Sequence, residues 1–331
     1  MEKKIFLRQR VGNMEQIAGL REVVLSSGRG RDVRLVEVDN GSGLTFTVMP
    51  DRCCDIYSAK FNNKSLAWLA PNGVVNPNAY EPENIMWLRS WPGGLLTTAG
   101  LLNVGGPEDG HGLHGRVSHI PAEDLKLDRS WVGDEYRLSV SGVVRHSMVF
   151  GEKLELRREI KTAYGKNLIE VNDSVENQGF APVPLMMLYH CNFGYPLIDE
   201  NAVLQALEHK ITPQDEHSAA DIADWAKLSA PVHGYAEELF YHEIAADKDG
   251  FARMSIVNLD VGMKVTIAYD PTTLPVLNQW KQMGEGEYVT GLEPGNCYPI
   301  GQKANAQNGM LRMIEPGETV NFAIRIEIEE L

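Results

Sequence analysis

Apolar and polar residues alternate with a period of two along most of this chain. In "TVNFAIRIEIEE" (319 to 330), Val320, Phe322, Ile324, Ile326 and Ile328 fall on one face, with Asn321, Ala323, Arg325, Glu327 and Glu329 on the other. That is the pattern of a half-buried antiparallel strand. Strands are likewise predicted over 33–38, 44–49, 136–144, 153–161, 167–177, 253–259 and 263–270. Asn40-Gly41, Asn62-Asn63, Tyr164-Gly165-Lys166 and Asp249-Gly250 punctuate them as turns.

Helical periodicity is scarce. The segment 218–228 predicts one short helix with Ser218 as N-cap, and the stretch around Met14 reads as either helix or strand. No β-α-β rhythm, internal repeat or linker appears, which disfavours a doubly wound parallel sheet. The expectation is an all-β fold, one large antiparallel β-domain over 1–331 with long loops and residues 1–28 as a lead-in. The segment 69–107, with tryptophans at or near its edges, is too aromatic for a disordered insert and is expected to fold over something.

Charge narrows the partners. Lys plus Arg number 31 against 45 Asp plus Glu, a net charge of −14 that repels phosphate backbones and argues against nucleic acid. No secretory leader and no stretch of about 18 apolar residues is found, so no membrane partner and a cytoplasmic location are expected. The four cysteines lack C-x-x-C spacing and read as reduced thiols.

Three stretches carry candidate chemistry. If "PLMMLYHCNFGYP" (184 to 196) is a strand, Met186, Leu188, His190 and Asn192 share one face while Leu185, Met187, Tyr189, Cys191 and Phe193 share the other. A histidine and an asparagine then project together; the plain alternative is a half-buried histidine bonded to a carbonyl. In "TGLEPGNCYP" (290 to 299), Pro294 holds Glu293 extended at a strand end and Pro294-Gly295 suits a type II turn. Taken as extended, "HGLHGR" (111 to 116) puts His114 and Arg116 on one face and His111 on the other, so its histidines do not chelate one ion. Gly112 and Gly115 argue against a helix that would bring them together. No nucleophile elbow, phosphate loop, dinucleotide fingerprint or H-E-x-x-H motif occurs. A carboxylate with imidazoles and no such motif suggests proton transfer.

The ordered set "GGLLTTAGLLNVGG", "HGLHGR", "YHCNFGYP" and "LNQWKQMGEGEYVTGLEPGN" resembles the galactose mutarotase-like superfamily, and more closely its aldose 1-epimerase-related, DUF4432-type branch. The resemblance runs from about Arg29 to the C-terminus. It implies a large antiparallel β-supersandwich, a sugar groove across one sheet, and mutarotation of a free aldose without a cofactor, in a monomer or homodimer. It also implies Glu293 as general base on the anomeric hydroxyl, His190 as general acid on the ring oxygen, and His114 as a further active-site histidine. An ionised carboxylate beside a protonated imidazole near neutral pH fits those roles.

Arg116 and Asn192, which share faces with these histidines, are candidates for sugar hydroxyls, as are Arg52 and Asp55 in an Arg-x-x-Asp-Ile signature; Asp55 also suits a structural strand end. Trp280 is either a pyranose platform or a core aromatic. A sugar acid or phosphate would call on Arg52, Arg89 and Arg116. Cys53-Cys54 stand where related sequences tend to carry Gly and an apolar residue, and none of Asp221, Asp224, Asp260 and Asp270 falls in a motif matching the aspartate that galactose mutarotases use. Two other readings are a carbohydrate-binding protein without turnover and a metal-dependent sugar isomerase using His111, His114, His190 and Glu293.

Overall fold

The computed structural model describes residues 3–108, 110–207 and 209–331. Its strands form three antiparallel sheets of five, eight and seven strands. The five-stranded sheet runs in chain order from Gly19–Val24 to Lys64–Ser65, so the expected lead-in contributes its edge strand, paired with Arg34–Asp39. The eight-stranded sheet has Thr319–Glu330 near its centre, between Met263–Tyr269 and Leu168–Asn177. The seven-stranded sheet is ordered Lys210–Pro213, Glu238–Glu243, Val276–Gly284, Glu287–Gly295, Val183–Gly194 and Arg312–Ile314, with Thr97–Leu101 also pairing along Val183–Gly194.

Inward positions of all three sheets meet in one core. Phe46 and Ile56, Leu156 and Ile324, and Tyr189 and Leu292 all belong to it. The alternation predicted for residues 184–196 is realised: Leu185, Met187, Tyr189, Cys191 and Phe193 enter this core. Met186 and Leu188 face the other way, into a small cluster with Ala99, Val104 and Cys297. Among the described residues no helix is long and apolar enough to cross a membrane.

Two expectations need correction. The helix predicted over 218–228 is shorter and earlier, Glu216–Ala220, followed by a 3-10 turn at Ile222–Asp224. Its N-cap is Asp215, whose carboxylate accepts from the Ser218 amide, so Ser218 lies inside the first turn. The stretch around Met14 resolves into a 3-10 turn, Met14–Gln16, and then a strand. The segment 69–107 packs as ordered loop, with 3-10 turns at Pro77–Ala79 and Met86–Arg89 and the strand Thr97–Leu101, and it brings Trp87 and Trp91 inward.

Candidate active site

The site lies on the face of the seven-stranded sheet turned away from the main core. His190 projects from Val183–Gly194, and Glu293 from the neighbouring strand Glu287–Gly295. Glu293 does not precede a turn. Pro294 and Gly295 continue the strand, opposite Leu277 and Val276. A proline is tolerated because the ladder to Val183–Gly194 skips this point, pairing Leu188 with Gly295 and resuming at Cys191 with Leu292. Gly291 makes room for the carboxylate: a Cβ there would stand 2.2 Å from Glu293 Oε1.

His190 Nδ1 and Glu293 Oε1 are 3.2 Å apart, with His190 5% and Glu293 2% exposed. Neither atom has an aligned hydrogen-bond partner among the described residues. Burial first, then the adjacent His114, push His190 down to about 3. Burial, with the Glu237 charge adding to it, pushes the Glu293 carboxyl well above its ordinary value. Burial therefore favours a protonated carboxyl beside a neutral imidazole over the ion pair expected from the sequence.

His114 stands edge-on to His190, with ring centroids 5.6 Å apart. Its Nδ1 accepts from the Gly105 amide at 3.3 Å, and burial lowers its proton affinity to about 4. A neutral imidazole with Nδ1 so occupied carries its proton on Nε2, making His114 a hydrogen-bond donor.

Indoles wall this group. Trp91 lies 5.2 Å and Trp280 5.4 Å from the His190 ring, Trp87 lies 5.1 Å from His114, and Trp68 contacts both Trp91 and Trp280. Trp280 is half-buried, and its Nε1 donates to Glu237 at 2.8 Å. It stands beside the His190 ring. Trp68, Trp87, Trp91 and Glu237 were not singled out as site residues from the sequence; the tryptophan-rich loop was the available signal for the first three, and nothing local marked Glu237.

Other expected residues lie elsewhere. Arg52 is buried behind Trp87, bonded to the Val75 carbonyl at 3.2 Å and to His119 Nε2 at 2.8 Å. His119 bonds Ser118, which accepts from Trp87 Nε1, so Arg52 supports the wall without reaching the cleft. Asp55 opens the strand Asp55–Phe61, accepts from Thr98 and pairs with Arg158 at 2.9 Å, the structural role allowed for it. Arg89 is exposed at the end of its 3-10 turn, with Nε against Met86 Sδ. Asn192 spends both donors on the Gly94 and His190 carbonyls, which fixes the strand beside His190 and leaves its buried Oδ1 without a partner.

The "HGLHGR" stretch is not extended. His114 has a φ of +55°, which breaks the alternation, so Arg116 lines the same cavity as His111 on the far side of the loop from the indoles. Arg116 therefore does not share a face with His114. Among the described residues no three His, Cys, Asp or Glu side chains are grouped to hold a metal ion.

Solved structures share this architecture. One of a candidate aldose 1-epimerase from Klebsiella pneumoniae subsp. pneumoniae MGH 78578 superposes with a TM-score of 0.87 at 23% identity, covering 96% of this chain and 86% of that one. A galactose mutarotase-like protein from Clostridium acetobutylicum gives 0.65 at 14% identity, covering 96% and 100%. Galactose 1-epimerase from Lactobacillus acidophilus NCFM gives 0.60 at 12% identity, covering 95% and 99%. At these identities the likeness shows a galactose mutarotase-like β-sandwich fold. No curated protein matches the chain. The model of a domain of unknown function, DUF4432, matches residues 30–328, and the chain belongs to that family.

Proposed function

We propose that the protein is an aldose 1-epimerase, interconverting the anomers of a free monosaccharide or derivative by general acid and base catalysis. The observation that carries this reading is the buried His190–Glu293 pair, 3.2 Å apart and lacking aligned partners, inside a wall of indoles. Buried polar atoms left unpaired are costly, so such a pair is suited to meet hydroxyls that the ligand brings.

Mutarotation needs one group to accept the anomeric O–H proton and one to give a proton to the ring oxygen as the C1–O5 bond breaks. The open-chain aldehyde then rotates about C1–C2 and recloses on either face, returning both protons. A pair holding one proton between them supplies both functions. A sugar hydroxyl donating to Glu293 favours its carboxylate, and the proton then resides on His190, 3.2 Å away. Glu293 acts as base and His190 as acid, while His114 donates through Nε2 to a sugar oxygen. Trp280 offers a face to the pyranose ring, and Glu237 at its edge accepts from a hydroxyl.

The experiment is an NMR anomer-exchange screen over free aldoses, deoxy sugars, ketoses and uronic acids. Accelerated exchange for at least one of them supports the reading. Saturable sugar binding without any acceleration would leave a carbohydrate-binding protein in its place.

A further inference from the structure

His111 and Arg116 turn away from the indoles. With Tyr80, His146, Met148 and Glu152 they line a cavity of about 380 Å³ on the far side of the 111–116 loop. It adjoins a second hollow that shares His111 and Arg116.

Two of its polar groups, the Arg116 guanidinium and His146 Nδ1, have no partner among the described residues. Arg116 is exposed, and its guanidinium makes no ion pair or hydrogen bond among the described residues. In this acidic chain, Arg34, Arg145, Arg158 and Arg253 all have carboxylate partners. His146 is 3% exposed, and its Nδ1 has no hydrogen-bond partner among the described residues. Its Nε2 stands 3.6 Å from Glu152 Oε1. Burial first, then the nearby Arg116 and His111, lower the His146 ring to about 4, so it is a neutral hydrogen-bond donor near neutral pH. An unpaired guanidinium beside two imidazoles able to donate N–H is suited to a negatively charged oxygen group.

We propose that this cavity binds a small oxyanion, a phosphate or carboxylate group, with Arg116 as its cationic anchor and His111 and His146 as donors. The site is separate from the indole-lined cleft and stands whether or not that cleft catalyses mutarotation. Tyr80 closes one wall by donating to the Gly115 carbonyl at 3.1 Å and stacking on His119 at 4.0 Å. The wall facing the anion is therefore built on packed groups.

The test follows the His111 and His146 side-chain resonances by NMR while inorganic phosphate or sulfate is added to the full chain, with chloride holding ionic strength constant. Both resonances should shift saturably, and Arg116→Gln should weaken binding about tenfold or more. Glu293→Gln should leave it unchanged. Arg116 is exposed, so its replacement does not threaten the fold. A parallel titration with a hexose 6-phosphate separates the sources: tighter binding than inorganic phosphate assigns a phosphorylated sugar, and equal binding assigns the free anion. Absence of a saturable shift, or equal affinity in Arg116→Gln, overturns the proposal.

Discussion

Two adjacent residues of one strand, Tyr189 and His190, belong to two buried polar centres of opposite character. Tyr189 faces the core and donates to Asp173 at 2.7 Å. There Arg158 bonds Asp173 through Nε and Nη2, and bonds Asp55 and the Cys53 carbonyl through Nη1. Asp55 also accepts from the Thr98 amide and hydroxyl. This centre ties together strands of different sheets and leaves none of its charged atoms without a partner. His190, one residue on, faces the indoles with Glu293, and there both facing atoms lack aligned partners. Burial is common to the two centres; completeness of hydrogen bonding separates them. The complete one reads as structure, and the incomplete one is where the proposed chemistry would act.

The comparison is broken most directly at Arg158. Arg158→Leu leaves Asp55 and Asp173 buried without their cation, and the expected loss is about 3–5 kcal/mol of stability, measured by urea unfolding. A loss below about 1 kcal/mol would show that the satisfied centre is not structural. Gly291→Ala probes the other centre. Its Cβ would stand 2.2 Å from Glu293 Oε1, so the carboxylate must move. A misplacement of about 1 Å can cost on the order of a hundredfold, so kcat/KM for anomer exchange should drop by up to that factor while the unfolding midpoint changes little.

The smallest effect concerns pH. His190 is held down to about 3 and Glu293 is pushed up, so the pair keeps one proton as pH falls through the ordinary carboxyl value of 4.5. A second proton joins only near pH 3, where His190 titrates. The acid limb of the kcat/KM profile should therefore stay flat through pH 4.5, over the range in which circular dichroism shows an intact fold. An isolated carboxylate base would lose half its activity there, and that result would contradict the paired description.

Much of this was legible in the sequence where one side-chain period governs the outcome. The strands Leu44–Met49 and Thr319–Glu330 match their predicted bounds, because alternation fixes which residues can be buried. The same rule sorted Tyr189 from His190. It failed where backbone leaves the extended region. His114, at φ +55°, sends Arg116 to the side of His111. Cys53 and Cys54, at φ +55° and +53°, form a turn of the kind glycine adopts freely, at the point where Arg52 enters the interior. Pro294-Gly295 reads locally as a turn, yet pairing across to Leu277 and Val276 keeps it in the sheet. Trp68, Trp87 and Trp91 come from one stretch of chain, but Trp280 joins them from a distant strand, so no local pattern could specify the assembled wall.

The central claim, that the unpaired His190–Glu293 centre does chemistry, is tested most directly by NMR magnetisation-exchange rates for a sugar that the wild type accepts, compared with Glu293→Gln. The account predicts that exchange catalysed by the variant falls about 10²- to 10⁴-fold, with sugar affinity changed only modestly and stability undiminished. Wild-type exchange rates retained in Glu293→Gln would contradict it.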